Sequence, residues 1–167
     1  MKEKDMSRII YNECMDNREL GLQMGRDAQA IRGKRGQAFL RELEAALLSL
    51  TPRRLIVDVL CDQQGEVCAL GAVARKRLVT QGATYAEAEL ALCPDNDPEP
   101  YFWEDPDDDT TEYAVKVLGL SATMAWLIQE ANDDPEGPSR TPEQRYDYVL
   151  GQVRRMLEGK LPVDRLP

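Results

Sequence analysis

Between Ile31 and Leu78 the chain reads IRGKRGQAFLRELEAALL, then TPRRLIVDVL, then, from Gly65, GEVCALGAVARKRL, and no other stretch has apolar spacing this regular. Phe39, Leu40, Leu43, Leu47 and Leu50 recur at steps of three and four, which gathers them on one helical face and leaves Arg41, Glu42 and Glu44 on the other. A face that apolar has to be covered, so a core forms here. Gly33 lets the chain turn ahead of this helix, and Gly36 has the form of its N-cap. Thr51 followed by Pro52 reads as an N-cap with proline at the first helical position, which predicts a new helix at that point. Against that, LIVDVLC at 55–61 is as β-prone as it is apolar, and DQQG at 62–65 can close a hairpin onto VCALGAV. Both readings stand on the sequence. Further on, Val67, Leu70, Ala74 and Leu78 keep helical spacing, with Gly71 and Ala72 offering a small-residue surface on which another backbone can lie close.

The pieces IRGKRGQAFLREL, PRRLI and GEVCALGAVARKRL resemble a core shared by small uncharacterised proteins of phages and prophages, with weaker echoes in QEAND at 129–133 and TPEQRY at 141–146. The likeness covers about half the chain. It implies a mobile-element setting and a helical fold, and it brings no catalytic residue with it. The segment from Pro94 to Glu112 falls outside the likeness.

A chain of 167 residues fits one domain of residues 1–167 and can bury a substantial core. No run approaches the length of uncharged apolar sequence that spans a membrane, and the opening MKEKDMSR lacks the apolar centre of a signal peptide, so a cytoplasmic protein without a membrane partner is expected. Cys14, Cys61, Cys68 and Cys93 include no C-x-x-C pair and the chain has no histidine, which favours buried, reduced thiols over a zinc site. No metal and no cofactor are expected.

The net charge of −9 has one source. Nine acids and no base lie between Pro94 and Glu112, and the remaining 21 acids are matched by the 21 bases of the chain. Only this segment can generate a strong field of one sign. Its four prolines and its adjacent aromatics Tyr101, Phe102 and Trp103 predict an irregular loop, apolar in the middle and wet at its acids. Asp105, Asp107 and Asp109 alternate like the opening of an EF-hand loop, but Thr110 stands at the turn-glycine position and Lys116 at the position of the bidentate glutamate, so calcium is not expected. As a functional element the loop is an acidic docking surface, with Asp105, Asp107, Asp108 and Asp109 around an aromatic anchor.

In chain order, Ile9, Ile10 and Cys14 are loosely spaced for a first helix, and 25–35 is a basic, glycine-bearing turn whose Arg26, Arg32, Lys34 and Arg35 are anion-binding candidates. That turn lacks the spacing of a phosphate loop. Its plainer reading is a solvated turn that pairs with the acidic segment. Thr84 with Glu87 forms a capping box ahead of a short helix that stops before Pro94. Asp109 and Glu112 predict a helix running to Leu118, Gly119 ends it, and Ser121 starts another through Ala131. This pair has the look of a helix-turn-helix, but SATMAWLIQEAND carries no Arg or Lys, and a duplex would be repelled by its acidic end. Thr141, Pro142 and Gln144 give the strongest helix start in the chain, with Tyr146, Val149, Val153 and Leu157 expected inward and Gly159 and Pro162 closing the helix.

The expected fold is all-α, an irregular bundle of about seven helices with one long acidic loop at 94–112, the alternative being α+β with a hairpin at 55–73. No nucleophile elbow, phosphate loop or ligand cluster supports an enzyme. The expected function is that of a protein-binding regulator acting on a host defence or replication factor. Two alternatives are an acidic mimic of DNA in a nucleic-acid-binding groove and a nucleic-acid binder using the 26–35 turn, with nucleic acid the less favoured partner; oligomeric state is open.

Overall fold

The computed structural model describes residues 17–93, 106–134 and 138–162. Among the described residues the chain forms seven helices and no strand, so the all-α expectation holds. The helices are α1 (Asn17–Arg32), α2 (Lys34–Leu48), α3 (Ala69–Thr80), α4 (Tyr85–Leu92), α5 (Pro106–Lys116), α6 (Ala122–Asp133) and α7 (Pro142–Leu157). No described helix is long and apolar enough to cross a membrane.

The amphipathic stretch sets the centre. The apolar face of α2 buries Phe39, Leu40, Leu43 and Leu47 and packs against α3 and α7. From α7, Tyr146, Val149, Val153 and Met156 enter the same core, with Leu150 and Gln152 buried beside them, and Leu157 packs at its edge. Tyr146 keeps its hydroxyl bonded by donating to the Leu47 carbonyl at 3.1 Å, which lets a polar ring tip sit in the interior. Met124, Leu127 and Ile128 of α6 fill the remaining side, and Trp126 packs half-buried against them. The two capping boxes form as spaced, Thr84 with Glu87 on α4 and Thr141 with Gln144 on α7. Ser121 caps α6 by accepting from the Met124 N–H, and Gly119 turns the chain between α5 and α6 at φ 74°.

Two glycines fix how closely the elements approach. A Cβ on Gly71 would lie 1.8 Å from the Leu60 carbonyl oxygen, so the backbone before α3 rests directly on that helix, as the small-residue surface predicted. A Cβ on Gly36 would lie 1.9 Å from the Ala30 oxygen. Gly36 is therefore not the N-cap of α2. That position belongs to Gly33, and Gly36 lies inside the helix, where it lets α1 and α2 fold back on one another.

Four further expectations are corrected. No helix starts at Pro52: the Thr51–Pro52 bond is cis and residues 51–61 run irregularly. Three β-branched residues, Ile56, Val57 and Val59, disfavour helix here. The backbone finds distant partners instead, Leu55 N–H to Pro142 O and Ile56 N–H to Val67 O. The hairpin alternative shrinks to one antiparallel bridge, Cys61 with Val67, closed by a turn in which the Asp62 carboxylate accepts from the Gln64 and Glu66 N–H groups. The basic stretch 25–35 is no turn, because α1 runs through Gly25 to Arg32 and a single residue, Gly33, separates it from α2. Gly25 has open space around it, so the helix loses only propensity there. Lastly, α5 starts at Pro106, so Asp107, Asp108 and Asp109 are helical rather than part of a loop. Proline at the first helical position followed by acids suits a helix start. Tyr101, Phe102, Trp103 and Asp105 lie outside the described residues, as do Ile9, Ile10 and Cys14.

Candidate functional site

The four anion-binding candidates are divided between two helices. Arg26 and Arg32 belong to α1, Lys34 and Arg35 to the first turn of α2, and all four are exposed. Arg32 donates from Nε to the Gly159 carbonyl at 2.9 Å, tying α1 to the end of α7. Arg35 donates from Nη2 to the Gly119 carbonyl at 2.7 Å. Other basic residues of the chain are engaged inside the fold. Arg54 forms ion pairs with Glu66 and Glu143. Arg75 donates to the Gly65 carbonyl, pairs with Glu89 and lies over the Tyr85 ring.

Arg77 joins three elements. Its Nε and Nη2 meet both oxygens of Glu42 on α2 at 2.6 and 2.7 Å, and its Nη1 donates to the Leu118 carbonyl at 3.0 Å. The fork on the carboxylate holds Glu42 below the usual carboxylate range and Arg77 above its own. Arg35 and Arg77 thus grip two consecutive carbonyls of the turn between α5 and α6. Between them a groove of about 390 Å³ opens, floored by Phe39, Leu118, Leu120 and Met124.

A second polar node lies at the start of α3. Asn132 accepts from the Ala69 N–H at 3.0 Å and donates to the Ile56 carbonyl at 2.8 Å, so one buried amide joins α6, α3 and the irregular segment. Nearby, Thr111 of α5 donates to the Gln129 carbonyl-type oxygen at 2.6 Å. The GEVCALGAV and QEAND pieces meet here through Cys68 and Asn132, which line one small cavity with Asp58, Gln129 and Asp133. No single-sequence pattern marks Asn132 as buried, since an asparagine near a helix end ordinarily reads as a cap.

The thiols at this node are not poised for chemistry. Cys68 caps α3 with its sulfur and is fully buried, and loss of solvation pushes its pKa up to about 12. Cys61 is pushed up to about 11, first by burial and then by Glu89. Both are protonated at neutral pH. Among the described residues no group of His, Cys, Asp and Glu has the arrangement of a metal site.

On the acidic side, Thr110 and Ala114 of α5 are buried, while Val115 and Val117 face solvent at 37% and 57% exposure. On α4, Tyr85 and Leu90 are 60% and 61% exposed. These four are most of the six large apolar side chains exposed among the described residues; Tyr85 and Leu90 precede the acidic segment, which runs into the first half of α5, and Val115 and Val117 follow it. No family model, no curated protein and no solved structure matches this chain.

Proposed function

We propose that the protein is a non-enzymatic regulator that works by binding another protein, carried by a phage or related mobile element and directed in the host cytoplasm at a defence or replication factor. One observation carries this reading. The entire charge excess of the chain lies at 94–112, and the chain on either side of it exposes Tyr85 and Leu90 on α4 before it and Val115 and Val117 after it. Charge in such a segment steers encounter with a basic partner, and apolar anchors then slow its release. On the sequence, Tyr101, Phe102 and Trp103 are the anchors at the middle of the segment.

Two features favour this over the alternatives. Asp107, Asp108 and Asp109 occupy consecutive helical positions, and consecutive positions do not share a face, whereas mimicry of a duplex needs acids in a row at phosphate-like spacing. Arg75 and Arg77 are bonded to carbonyls and carboxylates of the fold, which suits cross-bracing better than a phosphate track.

The test is capture from host lysate with wild type and with a triple variant, Tyr101, Phe102 and Trp103 each to Ala, followed by rebinding of the recovered partner in purified form. The expected partner is basic, binds the triple variant at least about tenfold more weakly, and associates more slowly as salt rises. A purified partner that binds both forms equally, or whose association ignores salt, would refute the reading.

A further inference from the structure

We propose that the groove beside Arg35 is a binding site for a small amphiphilic anion, a carboxylate or phosphate ester on an apolar body. This goes beyond the docking reading, and neither depends on the other. The groove lies where the α1–α2 joint faces the turn between α5 and α6, and its volume of about 390 Å³ falls within the span of small-ligand pockets, roughly 300–1,000 Å³.

Its chemistry is two-sided. The floor is apolar and firm, because Phe39, Leu118, Leu120 and Met124 are all buried in the core. The wall is cationic. Glu42 is the sole acid among the lining residues and is held on both oxygens by Arg77, so that pair is neutral and the charge of Arg35 is left over. Arg35 meets the Gly119 carbonyl, which carries no charge, through Nη2. A guanidinium has five N–H donors in a fixed plane, and this bond orients the plane without exhausting it. The remaining donors suit a carboxylate or phosphate, which accepts two parallel bonds from such a fork.

The approach is open. Arg35, Ala38, Gly119 and Ser121 are exposed at the mouth, while Gly36 is at the bottom of the joint. An anion there stays near the solvent edge, with its apolar part over the edges of Phe39, Leu118 and Leu120.

The experiment uses 1-anilinonaphthalene-8-sulfonate, an aromatic anion that fluoresces on apolar surfaces, titrated into the full chain and displaced by octanoate, octyl phosphate or octanol. Saturable binding at one site is expected, with displacement by octanoate or octyl phosphate at concentrations about tenfold below those of octanol. The stronger of the two anions identifies the head group as carboxylate or phosphate. Arg35→Gln should weaken the probe about tenfold. Ala38→Trp, at an exposed position of the lining, puts an indole in the groove in place of the ligand and should abolish saturable binding. Both variants should keep the wild-type circular dichroism and melting temperature; if Arg35→Gln melts early, Ala38→Trp and the displacement series decide the matter. Absence of saturable binding in the wild type, equal displacement by octanol, or an unchanged affinity in a folded variant of either kind would overturn the proposal.

Discussion

The region where α2, α3, α6 and α7 meet and the pair α4 and α5 are built to different standards. In the first, backbone rests on backbone at Gly71, a buried amide from Asn132 serves two separate elements, and Tyr146 has its hydroxyl bonded inside the core. In the second, α4 packs chiefly on α3 and α5 chiefly on α6, and both leave large apolar side chains in water. Both regions are helical and both have apolar faces. The difference lies in how much of each face the same chain covers, and four of the six large apolar side chains exposed among the described residues lie beside the charged segment. A surface for another molecule is reasonable where the fold has left apolar area uncovered.

The comparison breaks most readily at the close approaches. Gly71→Ala puts a methyl group 1.8 Å from the Leu60 oxygen, a backbone atom held by the Cys68 N–H, so the segment before α3 must move. The gain in helix propensity is about 1 kcal/mol. The displacement outweighs it, and the expected net loss is roughly 3 kcal/mol, a drop in Tm on the order of 10 °C in a thermal melt. A melt within 2 or so degrees of wild type would mean that this region yields as easily as the surface.

Asn132→Ala comes next. It leaves the Ala69 N–H and the Ile56 carbonyl without their partner in a buried place, and the expected cost is about 2 kcal/mol by denaturant titration. Replacing the neighbouring Asp133, which is only half-buried, should cost less. Equal costs would show that charge near the α3 start, rather than the amide, holds the segment.

These residues also mark where the sequence was legible. Caps are local, so Thr84 with Glu87, Thr141 with Gln144 and Ser121 could be read directly, because each side chain bonds a backbone group three residues away. The α2 face was legible for the same reason, since its period needs no knowledge of the partner. Residues 51–61 were not, because their backbone bonds run to Pro142 and Val67, and Thr51-Pro52 carries the same signature whether or not a helix follows. Gly36 was misread because its role depends on Ala30 of a different helix. Of the candidate site, the charge of Arg35 was visible, but its meeting with Arg77 across the Leu118–Gly119 turn is a tertiary fact. The aromatic anchor is still a statement about sequence.

The thiols sharpen the comparison through pH. A thiol whose folded pKa lies above its unfolded value of 9.0 holds a proton that the unfolded chain gives up, so its contribution is intact below pH 9 and is lost as pH rises toward the folded values of about 11 for Cys61 and about 12 for Cys68. Tyr113, raised by burial, acts in the same direction from its ordinary value of 10.0. Stability should therefore fall above pH 9. Brief iodoacetamide treatment of the native protein at neutral pH should modify Cys93, which is half-buried, ahead of Cys61 and Cys68, as read by peptide mass. Fast labelling of Cys68 would mean that the start of α3 opens, contrary to the firmness claimed for it.

The smallest expected effect on stability is the one that tests the other half of the contrast. Leu90→Ser and Val117→Ser remove apolar side chains that are 61% and 57% exposed. Little area returns to water on unfolding at such positions, so each should change stability by no more than about 0.5 kcal/mol. The same substitutions should weaken binding to the basic partner, since side chains this exposed are accessible to the complex. A melting curve and a binding isotherm on the same two variants separate the causes. If either variant costs more than about 1.5 kcal/mol, its segment is packed like the core and its exposed residue is structural. If both are neutral in stability and in binding, α4 and α5 are bare surface and the partner is held by the acidic segment alone.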